Sequence, residues 1–138
     1  RSMKQVYMWK PLWYVLGGLM VAIVVYLSLM PAPPQLEMTY GDKLQHIAAY
    51  SAMAYWFAML EIANVNKRRW AMFALILLGG LLEFLQGLTG YRTFDTGDML
   101  ANAIGVLIGG LVGASGAGIL LAWLERHLHH WIGEIKRH

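Results

Sequence analysis

Four apolar stretches, about Leu12 to Met30, Leu44 to Leu60, Ala71 to Leu88 and Met99 to Trp123, dominate the chain and are separated by short polar turns. Each is close to the roughly 20 residues that a helix needs to cross the hydrocarbon core of a bilayer. Inside lipid a segment must satisfy its own backbone hydrogen bonds, and no alternating barrel pattern is present, so all four are expected to be helices. The separators agree with these limits. Pro31, Pro33 and Pro34 stop the first stretch, Asn64 to Arg69 forms a short basic turn, and Gly87 to Gly97 is a loop rich in glycine and threonine.

Composition supports this reading. Of 138 residues, 58% are hydrophobic and 14% charged, against about one-quarter charged in a soluble domain. Four spans and their links use nearly the whole length, so a single membrane domain, 1–138, is expected, with 124–138 as a tail. The first stretch follows a basic start as a signal peptide would, but it is too long and lacks a small-residue cleavage site before Pro31. It reads as a retained span. Met3 reads as the natural start, with Arg1 and Ser2 left over from cloning. The absence of cysteine excludes disulfides, thiolate zinc sites and cysteine nucleophiles. The net charge of +3 does not indicate nucleic acid, because the basic residues flank apolar segments instead of forming one stripe.

Their distribution sets an orientation. Nine lysines and arginines lie in the N-terminus, the Asn64 to Arg69 turn and the tail, against Lys43 and Arg92 on the opposite side. The positive-inside rule then places both termini in the cytoplasm. The loops at Pro31 to Lys43 and Thr89 to Asp98 are then expected to face the periplasm or cell exterior.

Ala101, Gly105, Gly109, Gly113 and Ala117 repeat every four residues, which leaves one ridge of the fourth helix nearly bare. Such a ridge admits close approach by another helix, within the chain or in a homo-oligomer. Beyond it, Leu121, Leu124, Leu128, Trp131, Ile132 and Ile135 recur at helical spacing. This predicts an amphipathic extension lying on the inner membrane surface. His127, His129 and His130 read as a solvated face of that extension.

The polar residues inside or beside the spans gather at the outer end. Asp42 and His46 share one face of the second helix, where the carboxylate can orient the imidazole; the plainer reading makes Asp42 an N-cap. Glu83 stands about 7–10 Å inside the third stretch, with Gln86 three residues later. An ionisable group at that depth marks a functional site or a hydrogen-bonded lock between helices. Asp95 reads as an N-cap of the fourth helix, Asp98 lies in its first turn, and Asn102 lies about 6 Å further in. Arg92 supplies a cation. A shared pocket is therefore expected from Asp42, His46, Glu83, Gln86, Arg92, Asp95, Asp98 and Asn102.

Asp42-Lys43-Leu44-Gln45-His46 with Ala49-Tyr50, Glu83-Phe84-Leu85-Gln86, Arg92, and Asp95-Thr96-Gly97-Asp98 with Ala101-Asn102-Ala103-Ile104-Gly105 occur in the order of the VanZ-like family of bacterial membrane proteins, which the chain resembles from about Asp42 to Gly113. The resemblance implies a multi-helix inner-membrane protein. Its founding member is associated with resistance to the glycopeptide teicoplanin.

Three functions compete. In an envelope enzyme acting on an anionic, lipid-linked substrate, His46 is general acid or base oriented by Asp42, and Glu83 is a second acid or base. Arg92 then holds the anionic group, while Gln86, Asp95, Asp98 and Asn102 bind ligand. In a non-catalytic factor the same residues recognise a membrane lipid, a cell-wall precursor or a protein. A small transporter is the third reading, weakened by the lack of an internal repeat. The spacing matches no metal-binding loop, so no metal is assigned, and no cofactor is named by the residues. Gly113-Ala114-Ser115-Gly116 resembles a nucleophile segment, but Ser115 lies at the opposite end from His46.

Overall fold

The computed structural model describes residues 7–33, 37–115 and 120–137. Among them are five helices and no strand: α1 (Lys10–Leu29), α2 (Gly41–Leu60), α3 (Val65–Leu88), α4 (Thr96–Ala114) and α5 (Leu120–Ile135). Three helices, α1, α3 and α4, are long and apolar enough to cross a membrane. Arg1, Lys4, Pro34, Gly116 and Ala117 lie outside the described residues.

Local chemistry explains most of the boundaries. Pro11 sits in the first turn of α1, where its missing N–H costs nothing. Asn64 caps α3 by accepting from Lys67 N at 3.1 Å. The cap starts α3 at Val65, so Lys67, Arg68 and Arg69 form its first turn and not a separate turn before Ala71. Gly90, with φ 80°, ends α3 in the left-handed conformation that a helix stop favours.

The expected fourth span to Trp123 is corrected. Helix α4 ends at Ala114 with Ser115 extended as its C-cap, and the C-terminal helix starts at Leu120. The glycine-rich composition of this stretch lowers helix propensity at the break.

Helix α2 is the hub. Its first turns meet the last turn of α3 and the first turns of α4, and its last turns meet the start of α1. It thus runs antiparallel to α1 and α3 and parallel to α4. The α2–α4 contact uses the bare ridge. A Cβ at Gly105 would stand 2.6 Å from Ile47 O, one at Gly113 would stand 2.6 Å from Tyr55 O, and one at Gly109 would collide with Ser51 O. Ser51 Oγ donates to Gly105 O at 2.9 Å. The ridge from Gly105 to Gly113 is therefore filled within the chain by α2, the first of the two partners that the sequence left open.

Two apolar clusters hold the bundle. Tyr50, Met53, Ala54, Leu75 and Val106 fill the middle. At the α1 N-terminal end, Tyr7, Trp13, Met59, Leu60 and Leu121 pack together, with Leu124 and Leu128 of α5 against them. The apolar face of α5 is thus divided: three leucines dock on the bundle, while Trp131 and Ile135 remain exposed.

Candidate functional site

At the end formed by the C-termini of α1 and α3 and the N-termini of α2 and α4, polar groups from these four helices meet. Asp95 is the N-cap of α4, its Oδ1 accepting from Gly97 N at 2.7 Å. Its own N–H donates to Glu83 Oε1 at 2.8 Å, which ties the loop after α3 to the buried carboxylate. Glu83 is 1% exposed. Asn102, also buried, receives a hydrogen bond from His46 Nδ1 on Oδ1 at 2.7 Å, and its Nδ2 stands 3.5 Å from Gly79 O. A Cβ at Gly79 would lie 3.0 Å from Asn102, so the glycine leaves room for this close approach.

The orienting role expected of Asp42 falls to other residues. Asn102 holds one ring nitrogen of His46, and the acid beside the other is Asp98, with Oδ2 3.6 Å from Nε2. Asp42, second residue of α2, stands half-exposed and 3.6 Å from Lys43. The N-cap position of α2 belongs to Tyr40.

Lys43, weighed in the sequence only as a charge, is central. Its ammonium donates to Asp95 Oδ2 and Asp98 Oδ1, both at 2.9 Å. The Lys43 hydrogen bond, followed by the Gly97 N–H, holds the Asp95 carboxyl below its ordinary value. The signal available in the sequence was the three-residue spacing of Lys43 and His46, which puts both on one face of α2.

Arg92 is partly committed. Its Nη1 donates to Ser28 O at 3.0 Å and to Leu27 O at 3.3 Å, closing carbonyls at the end of α1. Gln86 Nε2 donates to the same Ser28 O at 2.7 Å, and Tyr91 OH to Leu29 O at 2.6 Å. These four bonds fasten α1 to the site.

Two connected cavities open here. One, of ≈ 480 Å³, is a mostly polar bowl lined by Asp42, His46, Gln86, Arg92, Asp95 and Asp98, with residues 31–33, Tyr91 and Thr93 at its rim. The other, of ≈ 140 Å³, is a mostly apolar groove between α1 and α2, lined by Val24, Leu27, Ala49 and Tyr50. Leu27 is itself exposed, so the groove opens on the flank of the bundle. Asp42, His46, Gln86 and Arg92 line both. Glu83 and Asn102 lie beneath the bowl and line neither.

Two sets of side chains have the donors for a cation: His46, Glu83 and Asp98; and Asp42, Asp95 and Asp98. The tail histidines are not a third. His127 Nδ1 lies 2.9 Å from Trp123 O, and exposed His130 lies 3.5 Å from Glu134. Ser115 stands at the far end of α4, about 20 Å along the helix axis from Asn102.

No family model, curated protein or solved structure matches the chain.

Proposed function

We propose that the chain is a multi-pass membrane protein of the VanZ-like kind whose bowl receives the polar head of a lipid-linked ligand of the bacterial envelope. The observation that carries this reading is the junction of two cavities of opposite character on Asp42, His46, Gln86 and Arg92. An amphiphile matches such a junction. Its head meets hydrogen-bonding groups in the bowl, and its chain lies against Val24, Leu27 and Ala49 while still reaching lipid through the open flank. Among the described residues Arg92 bonds only through Nη1, which leaves Nε and Nη2 for an anionic group on the head.

In this reading α2 is the fourth span. Its 20 residues reach about 30 Å, and its lower apolarity follows from its place among the other helices, where it need not face lipid. Lys67, Arg68, Arg69, Arg126 and Lys136 lie toward one end of the bundle and Lys43 and Arg92 toward the other. Both termini are then cytoplasmic and the bowl faces outward.

Recognition of the head is the function favoured by this geometry; turnover by His46 and Glu83 is the second. Reconstitution in nanodiscs with lipid-linked cell-wall precursors separates them. Saturable binding by wild type, weakened in His46→Ala and Glu83→Gln variants that fold, supports the site, and turnover lost in the same variants makes it an enzyme. Binding unchanged in both removes the bowl from consideration. Expression in a susceptible host tests teicoplanin resistance directly.

A further inference from the structure

The two cation-capable sets share Asp98, and they differ in how far the Lys43 ammonium answers their charge. Around Asp42, Asp95 and Asp98 the Lys43 ammonium stands at 2.9 to 3.6 Å from each carboxylate. In the other set, His46, Glu83 and Asp98 come from three different helices, and one ligand atom of each lies within 4.8 Å of the other two. Among the described residues, no lysine or arginine pairs with Glu83, and its one hydrogen bond comes from the neutral Asp95 N–H.

Hydrogen bonding determines what faces the centre of this set. The Asn102 amide nitrogen is turned to Gly79 O, so its oxygen faces His46. A carbonyl oxygen only accepts, which places the His46 proton on Nδ1. Nε2 is then the ring nitrogen left for a ligand, 3.6 Å from Asp98 Oδ2. A ring nitrogen and two carboxylates converge; Lys43 meets the outer oxygen of Asp98, Oδ1, while Glu83, on a residue 1% exposed, has no cationic partner among the described residues. In a buried setting that arrangement is costly unless a positive charge completes it. A proton on Nε2 would answer one carboxylate at a time, whereas a divalent ion answers all three donors together.

We infer that His46 Nε2, Glu83 and Asp98 bind a divalent transition metal, with zinc the ion best matched by one imidazole and two carboxylates. Zinc accepts this mixture of nitrogen and oxygen, while magnesium and calcium favour oxygen alone. Ligands on one tetrahedral zinc, at about 2.0–2.2 Å each, stand about 3.3–3.6 Å apart, so binding requires side-chain rotations that draw the three donors together from their present spread of up to 4.8 Å. Asn102 is then a positioning residue: a carbonyl oxygen on the far nitrogen of a ligating histidine fixes its tautomer. Three protein ligands leave a coordination position free, and because His46 and Asp98 line the bowl, that position is reachable from it. The metal site goes beyond the headgroup reading and does not depend on it.

The test uses the full chain in detergent without added lipid, with His127, His129, His130 and His138 replaced by Gln to remove competing imidazoles. After chelation and dialysis, zinc is titrated against a chromophoric competitor and retained metal is measured by mass spectrometry. One zinc per chain is expected. Asn102→Leu should weaken it about 10–100-fold, and Glu83→Gln, His46→Gln and Asp98→Asn should weaken it further. Should one ligand variant fail to fold, as judged by circular dichroism and gel filtration, the other two carry the comparison. No zinc retained by the parent chain, equal retention by folded ligand variants, or displacement of zinc by equimolar magnesium or calcium overturns the assignment. Lipid binding is measured separately in nanodiscs, so a failed metal site and a failed headgroup site give different results.

Discussion

The two ends of the bundle treat buried carboxylates in opposite ways. At the α1 N-terminal end, Glu61 is 3% exposed and receives Lys10 Nζ at 3.0 Å and the Tyr14 hydroxyl on the same oxygen, Oε1. Glu125 on α5 accepts from Trp9 N at 2.7 Å and Trp13 Nε1 at 3.2 Å. Glu61 and Glu125 each have donors there, and each of these bonds joins two elements; among the described residues, Tyr7 OH and Trp9 Nε1 are the buried side-chain groups left without a partner. At the opposite end Glu83 is buried with a single backbone donor, and a cavity of ≈ 480 Å³ lies open above it. On the reading proposed above, the difference separates polar residues that fasten helices from polar residues kept for something that binds.

The first way to break this comparison is to remove what both ends share. Gly109→Leu places a branched side chain where Ser51 backbone already stands. It should destabilise the bundle by roughly 3 kcal/mol or more, seen as loss of a monodisperse species in detergent. A folded variant with normal thermal stability would mean that α2 and α4 do not pack through the ridge.

Substituting the acid at each end sharpens the contrast, because the signs should differ. Glu61→Gln removes the charge that Lys10 and Tyr14 meet, and should cost about 1.5–3 kcal/mol. Glu83→Gln keeps an oxygen for the Asp95 N–H while removing a buried charge without a cation. In the metal-free, lipid-free chain it should stabilise by roughly 1 kcal/mol. Thermal unfolding followed by tryptophan fluorescence measures both. Two losses of equal size would make Glu83 a structural lock like Glu61.

The smallest effect is on pH dependence. Burial alone would raise the Glu61 carboxyl, but hydrogen bonds from Tyr14 and Lys10 hold it below its ordinary 4.5. With the folded value depressed, its contribution is complete above about pH 4.5 and is lost as pH falls through that lower value. Acidification from pH 5 should thus lower the melting temperature, and Glu61→Gln should flatten the decline. An unaltered slope would remove Glu61 from the stabilising network.

Much of this was legible in the sequence, for identifiable reasons. Depth along a helix follows from the rise per residue, so His46, Glu83, Asp98 and Asn102 could be placed at one level before any contact was known. The glycine ridge was visible from its four-residue period, and the Asp95 cap from its position before a helical run. Partners were not legible. Whether Asp42 or Asp98 stands beside His46 depends on the rotation of α2 against α4, which the ridge fixes only in three dimensions. The use of Ser28 O by both Gln86 and Arg92 depends on where α1 ends, far from either in sequence. Glu61 was overlooked because it follows the last apolar residue of its stretch, where a glutamate ordinarily meets water. The break after Ala114 was missed because hydropathy stays high across it.

The claim that the open end receives an amphiphile is tested most directly by native mass spectrometry of the chain extracted from membranes in mild detergent, beside an Ala49→Trp variant that fills the groove between α1 and α2. The account predicts wild type carrying one lipid-sized adduct that survives gentle activation, and a folded variant that lacks it. A bare wild-type chain, or the same adduct held equally by the variant, would contradict it.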